Sequence, residues 1–389
     1  MSRIAFFCIP AWGHTNPTVE VVRQLTAMGH LVRYYSFEPF REKLESAGAE
    51  VVCCDEALPP QPKNLDKKVG RDFAALVEMV TETTLTLEER VCRELGEFRP
   101  NVIVSDSVCF WGKLFAKKLG IPYVCSTTTF AFNQQSAALM KPKMGELLRS
   151  LFGVPRIGRK MALLRRHGYP VDKVTDLLQN DNETNTVVYT SRAFQPMAET
   201  FSEHYAFVGP SLPEREERVT KRSRPLVYIS LGTVIHDRKR FCKHCVAALA
   251  EMDADAILSV GTADNLEALG PLPSNIHAEA RVDQLAVLQQ ADVFLTHCGM
   301  NSASEAIWYG VPTVLDPQQS EEAAVAARIE ELGMGLRLRS ETPDDIRTAL
   351  ETVLTNPVYR ERTERIARSF REAGGAKTAA EYILSCCER

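Results

Sequence analysis

The sequence predicts an α/β protein made of two successive halves, each a parallel sheet with helices on both faces. Three observations carry that prediction. Short apolar runs of strand length alternate with helical patterns through the first half. The alternation stops at a stretch rich in Pro, Gly and charge, from Phe207-Val208-Gly209-Pro210-Ser211 to Arg224-Pro225, and then begins again. The length of 389 residues suits two domains better than one.

The elements follow in order. Ile4 to Ile9 reads as the first strand. Asn16 suits a helix cap with Pro17 at the first helical position, which leaves Gly13-His14 in the preceding loop. Val21, Val22, Leu25 and Met28 form the apolar side of that helix, and Gly29 ends it. Leu31 to Phe37 is the next strand. Val102 to Val104 is another, ending at Ser105-Asp106. A helix is expected over Trp111 to Leu119 and a strand over Ile121 to Ser126. Residues 130 to 185 break the rhythm: they are helical, Met-rich and basic, with Arg156, Arg159, Lys160, Arg165 and Arg166. Thr186 to Thr190 restores it. In the second half, strands are expected at Leu226 to Leu231, Ala256 to Val260, Val293 to Thr296 and Val311 to Leu315, and a last helix at Ala376 to Cys387. The expected division is a first domain over 1–207, a linker over 208–224, a second domain over 225–372, and a terminal helix in 373–389 that packs back on the first domain.

Composition narrows the function classes. The chain is 45% hydrophobic and 25% charged, an ordinary globular balance. A formal net charge of −4 gives no basic surface for nucleic acid. The 11 cysteines are odd in number and lack the spacing of a secreted disulfide framework, so a reducing, cytoplasmic location is expected. Cys8, Cys53 and Cys125 lie in apolar runs and read as small buried thiols. The apolar run Ile4 to Pro10 is too short for a signal peptide, and no apolar stretch approaches a membrane span.

Three constellations point to chemistry. His14 and Asp106 both fall at the carboxyl ends of strands in the first half, the edge where open parallel sheets bind ligands. A histidine there can remove a proton while a carboxylate fixes its tautomer. A capping histidine and a turn aspartate fit the same spacing. Ser230-Leu231-Gly232-Thr233 ends the first strand of the second half, where glycine permits close approach and the hydroxyls can bond a phosphate; an ordinary turn fits equally. The third is Thr296-His297-Cys298-Gly299-Met300-Asn301-Ser302 with Glu305, a turn from a buried strand into a helix that Gly310 closes. Free N–H groups and the positive helix end make it a phosphate site. Glu305 lies one helical turn beyond Asn301, placed for ribose hydroxyls. Alternatively, Asn301 or Ser302 caps the helix and Glu305 is a surface acid. Arg281-Val282-Asp283-Gln284 and Asp316-Pro317-Gln318-Gln319-Ser320-Glu321-Glu322 extend this segment on either side.

Weaker signals read structurally. Asp253 and Asp255 fit a solvated turn. Cys242 and Cys245, with His236 and His244, fit a helix face better than a zinc site. The cluster from Arg156 to Arg166 fits a solvated helix face. No metal site is expected.

Together these residues resemble the family 1 glycosyltransferases with the GT-B fold, two Rossmann-like domains facing a cleft, and above all the bacterial UDP-glucosyltransferases of macrolides and flavonoids. The resemblance runs through nearly the whole chain. It rests on Gly13-His14 with Asn16-Pro17, Asp106, Phe207 to Ser211, Ser230 to Thr233, and the stretch from Arg281 to Glu322. It implies an inverting, metal-independent transfer from a UDP-sugar, UDP-glucose by analogy, to a hydroxyl of a small lipophilic or aromatic acceptor, with no cofactor. It implies His14 as base and Asp106 as its partner. Ser230, Gly232 and Thr233 would lie near the diphosphate, and His297, Gly299, Asn301 and Ser302 would bind it. Glu305 would hold the ribose, Arg281, Val282 and Gln284 would surround the nucleobase, and Glu321 and Glu322 would grip the sugar. Three positions depart from the family pattern. Arg281 stands where a stacking Trp is frequent, although a guanidinium plane also stacks. Asp283 replaces a common Pro. Glu322 replaces a Gln, and an ionised carboxylate only accepts hydrogen bonds. Trp12, Phe110, Trp111, Phe130 and Phe132 would line an acceptor pocket or serve as core. A sugar-nucleotide epimerase on the same fold and a non-catalytic accessory subunit are the alternatives, and a monomer or homodimer is expected.

Overall fold

Two all-parallel sheets organise the chain in its computed structural model, which describes residues 1–57, 73–133, 135, 144–178, 180–215, 222–230, 232 and 238–387. They belong to two compact units. The first comprises Met1–Ser191, Met197–Ser211 and Gly374–Arg389; the second comprises Arg192–Pro196 and Leu212–Ala373.

The first unit contains β1 (Arg3–Phe7), α1 (Trp12–Ala27), β2 (Leu31–Ser36), α2 (Arg41–Ser46), β3 (Glu50–Cys53), α3 (Phe73–Phe98), β4 (Val102–Asp106), α4 (Phe110–Leu119), β5 (Tyr123–Thr127), α5 (Met144–Arg166), α6 (Val174–Leu178), β6 (Thr186–Val188) and β7 (Tyr205–Phe207). Its strand order is β3-β2-β1-β4-β5-β6-β7. The second unit contains β8 (Leu226–Ser230), α7 (Lys239–Ala250), β9 (Asp255–Ser259), α8 (Ala263–Glu267), β10 (Ile276–Glu279), α9 (Gln284–Leu288), β11 (Val293–Thr296), α10 (Met300–Trp308), β12 (Thr313–Leu315), α11 (Ser320–Leu332), β13 (Gly335–Arg337), α12 (Pro343–Thr355) and α13 (Pro357–Glu372). Its order is β10-β9-β8-β11-β12-β13. The last helix, α14 (Gly375–Ser385), returns to the first unit.

The central strands are buried on both faces, so they read as unbroken apolar runs. Ile4, Ala5, Phe6 and Phe7 of β1 are all buried. Parallel register sets Phe6 beside Tyr34 and Phe7 beside Tyr35, and the rings stack with centroids 5.3 and 4.4 Å apart. In the second sheet Tyr228 faces Phe294 in the same way, at 4.7 Å. Helix α14 buries a stripe of small residues, Ala376, Ala379 and Ala380, with Ile383, and packs on α1. The Tyr382 hydroxyl donates to the His204 carbonyl at 2.6 Å, and the Gly375 N–H donates to the Val208 carbonyl at 2.6 Å.

Several elements differ from the sequence expectation. Helix α1 starts at Trp12 with Ala11 as its cap, so His14 is in the first helical turn rather than a loop. Asn16 does not cap; its side-chain oxygen accepts from Lys43 Nζ at 2.8 Å. Pro17 lies inside the helix, where its fixed φ is compatible, and burial of Thr15, Pro17, Thr18 and Val19 outweighs the lost N–H donor. Asp106 is the last residue of β4 rather than the residue after it. The short strands β3, β7, β10 and β13 escaped the sequence reading, as edge or near-edge strands carry weak patterns. So did α3, which buries Val77, Val80, Leu87, Val91 and Leu95.

The basic cluster of α5 faces α3 rather than only water. Arg156 Nε donates to Glu78 at 2.9 Å and Lys160 to Glu82 at 2.8 Å. Cys242 and Cys245 are buried in the core of the second unit, His244 bonds the Glu341 carbonyl at 2.6 Å, and His236 lies outside the described residues. Asp253 pairs with Arg224 at 3.0 Å on the surface. All eleven cysteines are free; Cys8 and Cys125 are buried, while Cys53 is half-buried. Among the described residues, no helix is long and apolar enough to cross a membrane.

Candidate active site

In the first sheet the chain runs outward from β1 through β2 and β3, then returns to the other side of β1 with β4. The carboxyl ends of β1 and β4 therefore flank a topological switch point, where such sheets leave a crevice for ligand. His14 approaches it from the start of α1 and Asp106 from the end of β4. His14 Nδ1 lies 2.7 Å from Asp106 Oδ2, and the Asp106 side chain is fully buried. The other carboxylate oxygen, Oδ1, accepts from the Val108 N–H at 3.0 Å. Thr128, immediately beyond β5, brings Oγ1 to 3.1 Å from the same Nδ1. A carboxylate only accepts, so Nδ1 carries the ring proton and Nε2 keeps a lone pair. The helix end disfavours an imidazolium by roughly 0.3–1 kcal/mol. A hydrogen bond to a charged group contributes about 1.5–3 kcal/mol and prevails.

The second sheet repeats the switch between β8 and β11. Ser230 ends β8, is buried, and pairs in register with Thr296. Beyond β11, Cys298 turns the chain at a φ of +68°, a left-handed conformation costing a non-glycine residue about 1–3 kcal/mol. Its N–H donates to Thr296 Oγ1 at 3.1 Å. The His297 ring lies between two glycines: a Cβ on Gly232, whose φ is +74°, or on Gly299 would sit 2.6 Å from His297 Nε2. Burial holds this imidazole below its ordinary range against the opposing pull of Glu322, so it is neutral at neutral pH.

Gly299 caps α10 without a side-chain bond, which corrects the reading of Asn301 or Ser302 as caps; both lie half-buried in the first turn. Gln284 opens α9 after its cap Asp283 and reaches across. Its Nε2 donates to Glu305 Oε2 at 2.6 Å and to Ser302 Oγ at 3.1 Å. The Tyr228 hydroxyl donates to Gln284 Oε1 at 3.1 Å, fixing which way the amide points.

The remaining expected residues divide. Val282 packs against the Tyr228–Phe294 cluster, while Arg281 and Glu321 are exposed. Glu322 is buried, and its Oε2 accepts the backbone N–H groups of Gln318 at 2.7 Å and Gln319 at 2.9 Å, bracing the start of α11. Thr233 lies outside the described residues. Of the five aromatics, Phe110, Trp111 and Phe130 are buried core, whereas Trp12 and Phe132 are exposed. Among the described residues, Glu38, Cys53 and Asp55 cluster at metal-ligating distances, but Arg41 bonds both Glu38 and Cys53 and supplies the positive charge there. Sequence reading missed Thr128 and Tyr228. Tyr228 stands two residues before Ser230 on the same strand face, a period-2 signal that was available; nothing local marks Thr128.

Residues 243–380 match the family described as the C-terminal domain of erythromycin biosynthesis protein CIII-like proteins. An NDP-glycosyltransferase, YjiC, of Bacillus subtilis is 33% identical over 98% of this chain and 96% of its own length. A demethyllactenocin mycarosyltransferase of Streptomyces fradiae is 31% identical over 98% of this chain and 86% of its own. The crystal structure of the kitacinnamycin glycosyltransferase superposes with a TM-score of 0.86 at 28% identity, covering 99% of this chain and 98% of that one. Sequence kinship over the full length, two parallel-sheet units and a His–Asp pair at a switch point agree, and the chain belongs to the family 1 glycosyltransferases of GT-B fold.

Proposed function

We propose that this glycosyltransferase moves a sugar, with inversion, from a nucleoside diphosphate sugar to a hydroxyl of a small lipophilic or aromatic natural product. UDP-glucose is the first donor to try. The observation that carries the reading is the 2.7 Å contact between His14 Nδ1 and buried Asp106, which leaves Nε2 as a base. The acceptor hydroxyl gives its proton to Nε2 while its oxygen attacks the anomeric carbon. The bond from that carbon to the diphosphate breaks, and the diphosphate leaves with the electron pair. Binding the acceptor falls to the first unit, where Trp12, two residues before His14 on α1, and Phe132, beyond β5, expose aromatic surface. Binding the donor falls to the second. His297, Gly299, Asn301 and Ser302 would take the diphosphate, with Ser230, Gly232 and Thr233 near it; Glu305 would take the ribose. Arg281, Val282 and Gln284 would lie around the base, and Glu321 with Glu322 near the sugar. The free cysteines fit a reducing, cytoplasmic setting. Relatives named as glycosyltransferases favour this over an epimerase or an accessory subunit.

The test is product analysis with UDP-glucose and a panel of phenolic and macrolide acceptors. Glucoside and free UDP in equal amounts, only when acceptor is present, is the expected result. Base catalysis typically contributes roughly 10²–10⁴-fold, so His14→Ala should lose about that factor in kcat while UDP affinity stays within twofold. Wild-type turnover in that variant would rule out His14 as the base.

A further inference from the structure

We infer that Thr128 is a positioning residue for His14, orienting the ring beside Asp106 and supporting its protonated form through a second acceptor at Nδ1. This rests on His14 as the base. Three elements meet at one atom: α1 brings the ring, β4 brings Asp106, and the chain beyond β5 brings Thr128. Register explains the last. Asp106 pairs with Ser126 across β4 and β5, so Thr128 follows two residues later and returns to the same side. Its hydroxyl is 3.1 Å from Nδ1, and the residue is 3% exposed, so water does not compete freely for the contact.

The chemistry of Nδ1 decides what Thr128 does. That nitrogen has one in-plane hydrogen-bonding site. When it carries the proton directed at Asp106, the threonine hydroxyl can only accept from it, which makes a three-centre bond with two acceptors for one N–H. When Nδ1 is bare, Thr128 must donate and Nδ1 faces the carboxylate with a lone pair, which is unfavourable. Asp106, which can only accept, therefore selects the tautomer; with the proton so placed, Thr128 adds a second acceptor at Nδ1, and both oxygens favour the imidazolium that forms as the acceptor loses its proton. The α1 N-terminus opposes that charge, so a second acceptor has an effect that Asp106 alone does not supply in full.

The experiment compares Thr128→Val, which keeps the shape and removes the hydroxyl, with Thr128→Ser, which keeps the hydroxyl. Losing one neutral hydrogen bond should lower kcat roughly 3- to 10-fold in the Val variant. The acid limb of its pH–rate profile should move to lower pH by about half a unit to one unit, as a weaker base protonates later. The Ser variant should restore both, and UDP affinity should be unchanged throughout. Nitrogen-15 histidine spectra of the resting enzyme supply a second reading that needs no turnover: His14 should show Nδ1 protonated in both proteins, with its titration midpoint moved to lower pH in the Val variant. An acid limb and a His14 titration midpoint unmoved in Thr128→Val, or rate loss that Ser does not restore, overturns the role of Thr128. Wild-type turnover in His14→Ala overturns the base and Thr128 together, so the two failures are distinguishable.

Discussion

Single residues decide the protonation chemistry. Lys113 on α4 is only 6% exposed, and burial pushes its ammonium down to about 8, with Lys117 adding to the shift. The unfolded chain therefore binds more protons than the native one between about pH 8 and 10.5, and this group makes stability rise with pH across that window. Below pH 8 the buried charge costs up to about 3 kcal/mol. Lys113→Met should thus be more stable than the parent at pH 7, with the advantage shrinking by pH 10.5; denaturant melts at both values check this, and a pH-independent difference would refute it. His297 also titrates below its ordinary range because it is buried. Gly232→Ala places a methyl against its Nε2 and strains a left-handed backbone. Nucleotide affinity by calorimetry should fall about tenfold or more, since a positive φ and a contact are lost together.

Elements decide how these groups meet. Tyr228 on β8 orients Gln284 on α9, which bonds Ser302 and Glu305 on α10. Tyr228→Phe keeps the stack on Phe294 but releases the amide. UDP affinity should drop roughly 2- to 10-fold, with kcat at saturating donor nearly unchanged. An unaltered dissociation constant would mean that Gln284 needs no such guide. Helix α4 lies close on the sheet because Gly112 has no side chain: a Cβ there would meet the Ser105 side chain and lie 2.8 Å from Phe7 Cβ. Gly112→Val should cost about 1–3 kcal/mol by overpacking, visible as a lower melting temperature, and should also slow turnover, because Ser105 precedes Asp106. The central elements were legible in the sequence because strands buried on both faces show unbroken apolar runs. The start of α1 was not, since local chemistry at Asn16-Pro17 signals a helix start that tertiary burial of Thr15 and Thr18 overrides.

At the scale of the molecule, the chain's ends belong together. Helix α14 packs on α1, the helix that carries His14, and is tied to the rest of the first unit by Tyr382 and Gly375, which donate to the His204 and Val208 carbonyls. Ending the chain before Gly374 should speed amide exchange in α1 at least tenfold and leave β8, β11 and β12 protected; unchanged protection in α1 would show that α14 contributes nothing there. The segment Arg192–Pro196 sorts with the second unit although its neighbours sort with the first. Arg328 holds it, donating to the carbonyls of Phe194 and Ala193 at 2.9 Å each, and Phe194 packs edge-on against Phe370.

The amino-acid sequence by itself determined the fold class, the two repeated halves and the residue types at both strand-end turns, because those depend on periodicity and on which backbone positions tolerate a turn. Only the tertiary structure decided which side chains share an atom. Asp106 and Thr128 reach the same nitrogen of His14 across 92 and 114 residues, and Tyr228 reaches Gln284 across 56. Strand order and register set those meetings, and neither is written in any local stretch of chain. Glu322 shows the same limit: its place in the sequence suggests a sugar contact, and only the folded chain reveals that one of its oxygens already holds two backbone N–H groups of its own helix start.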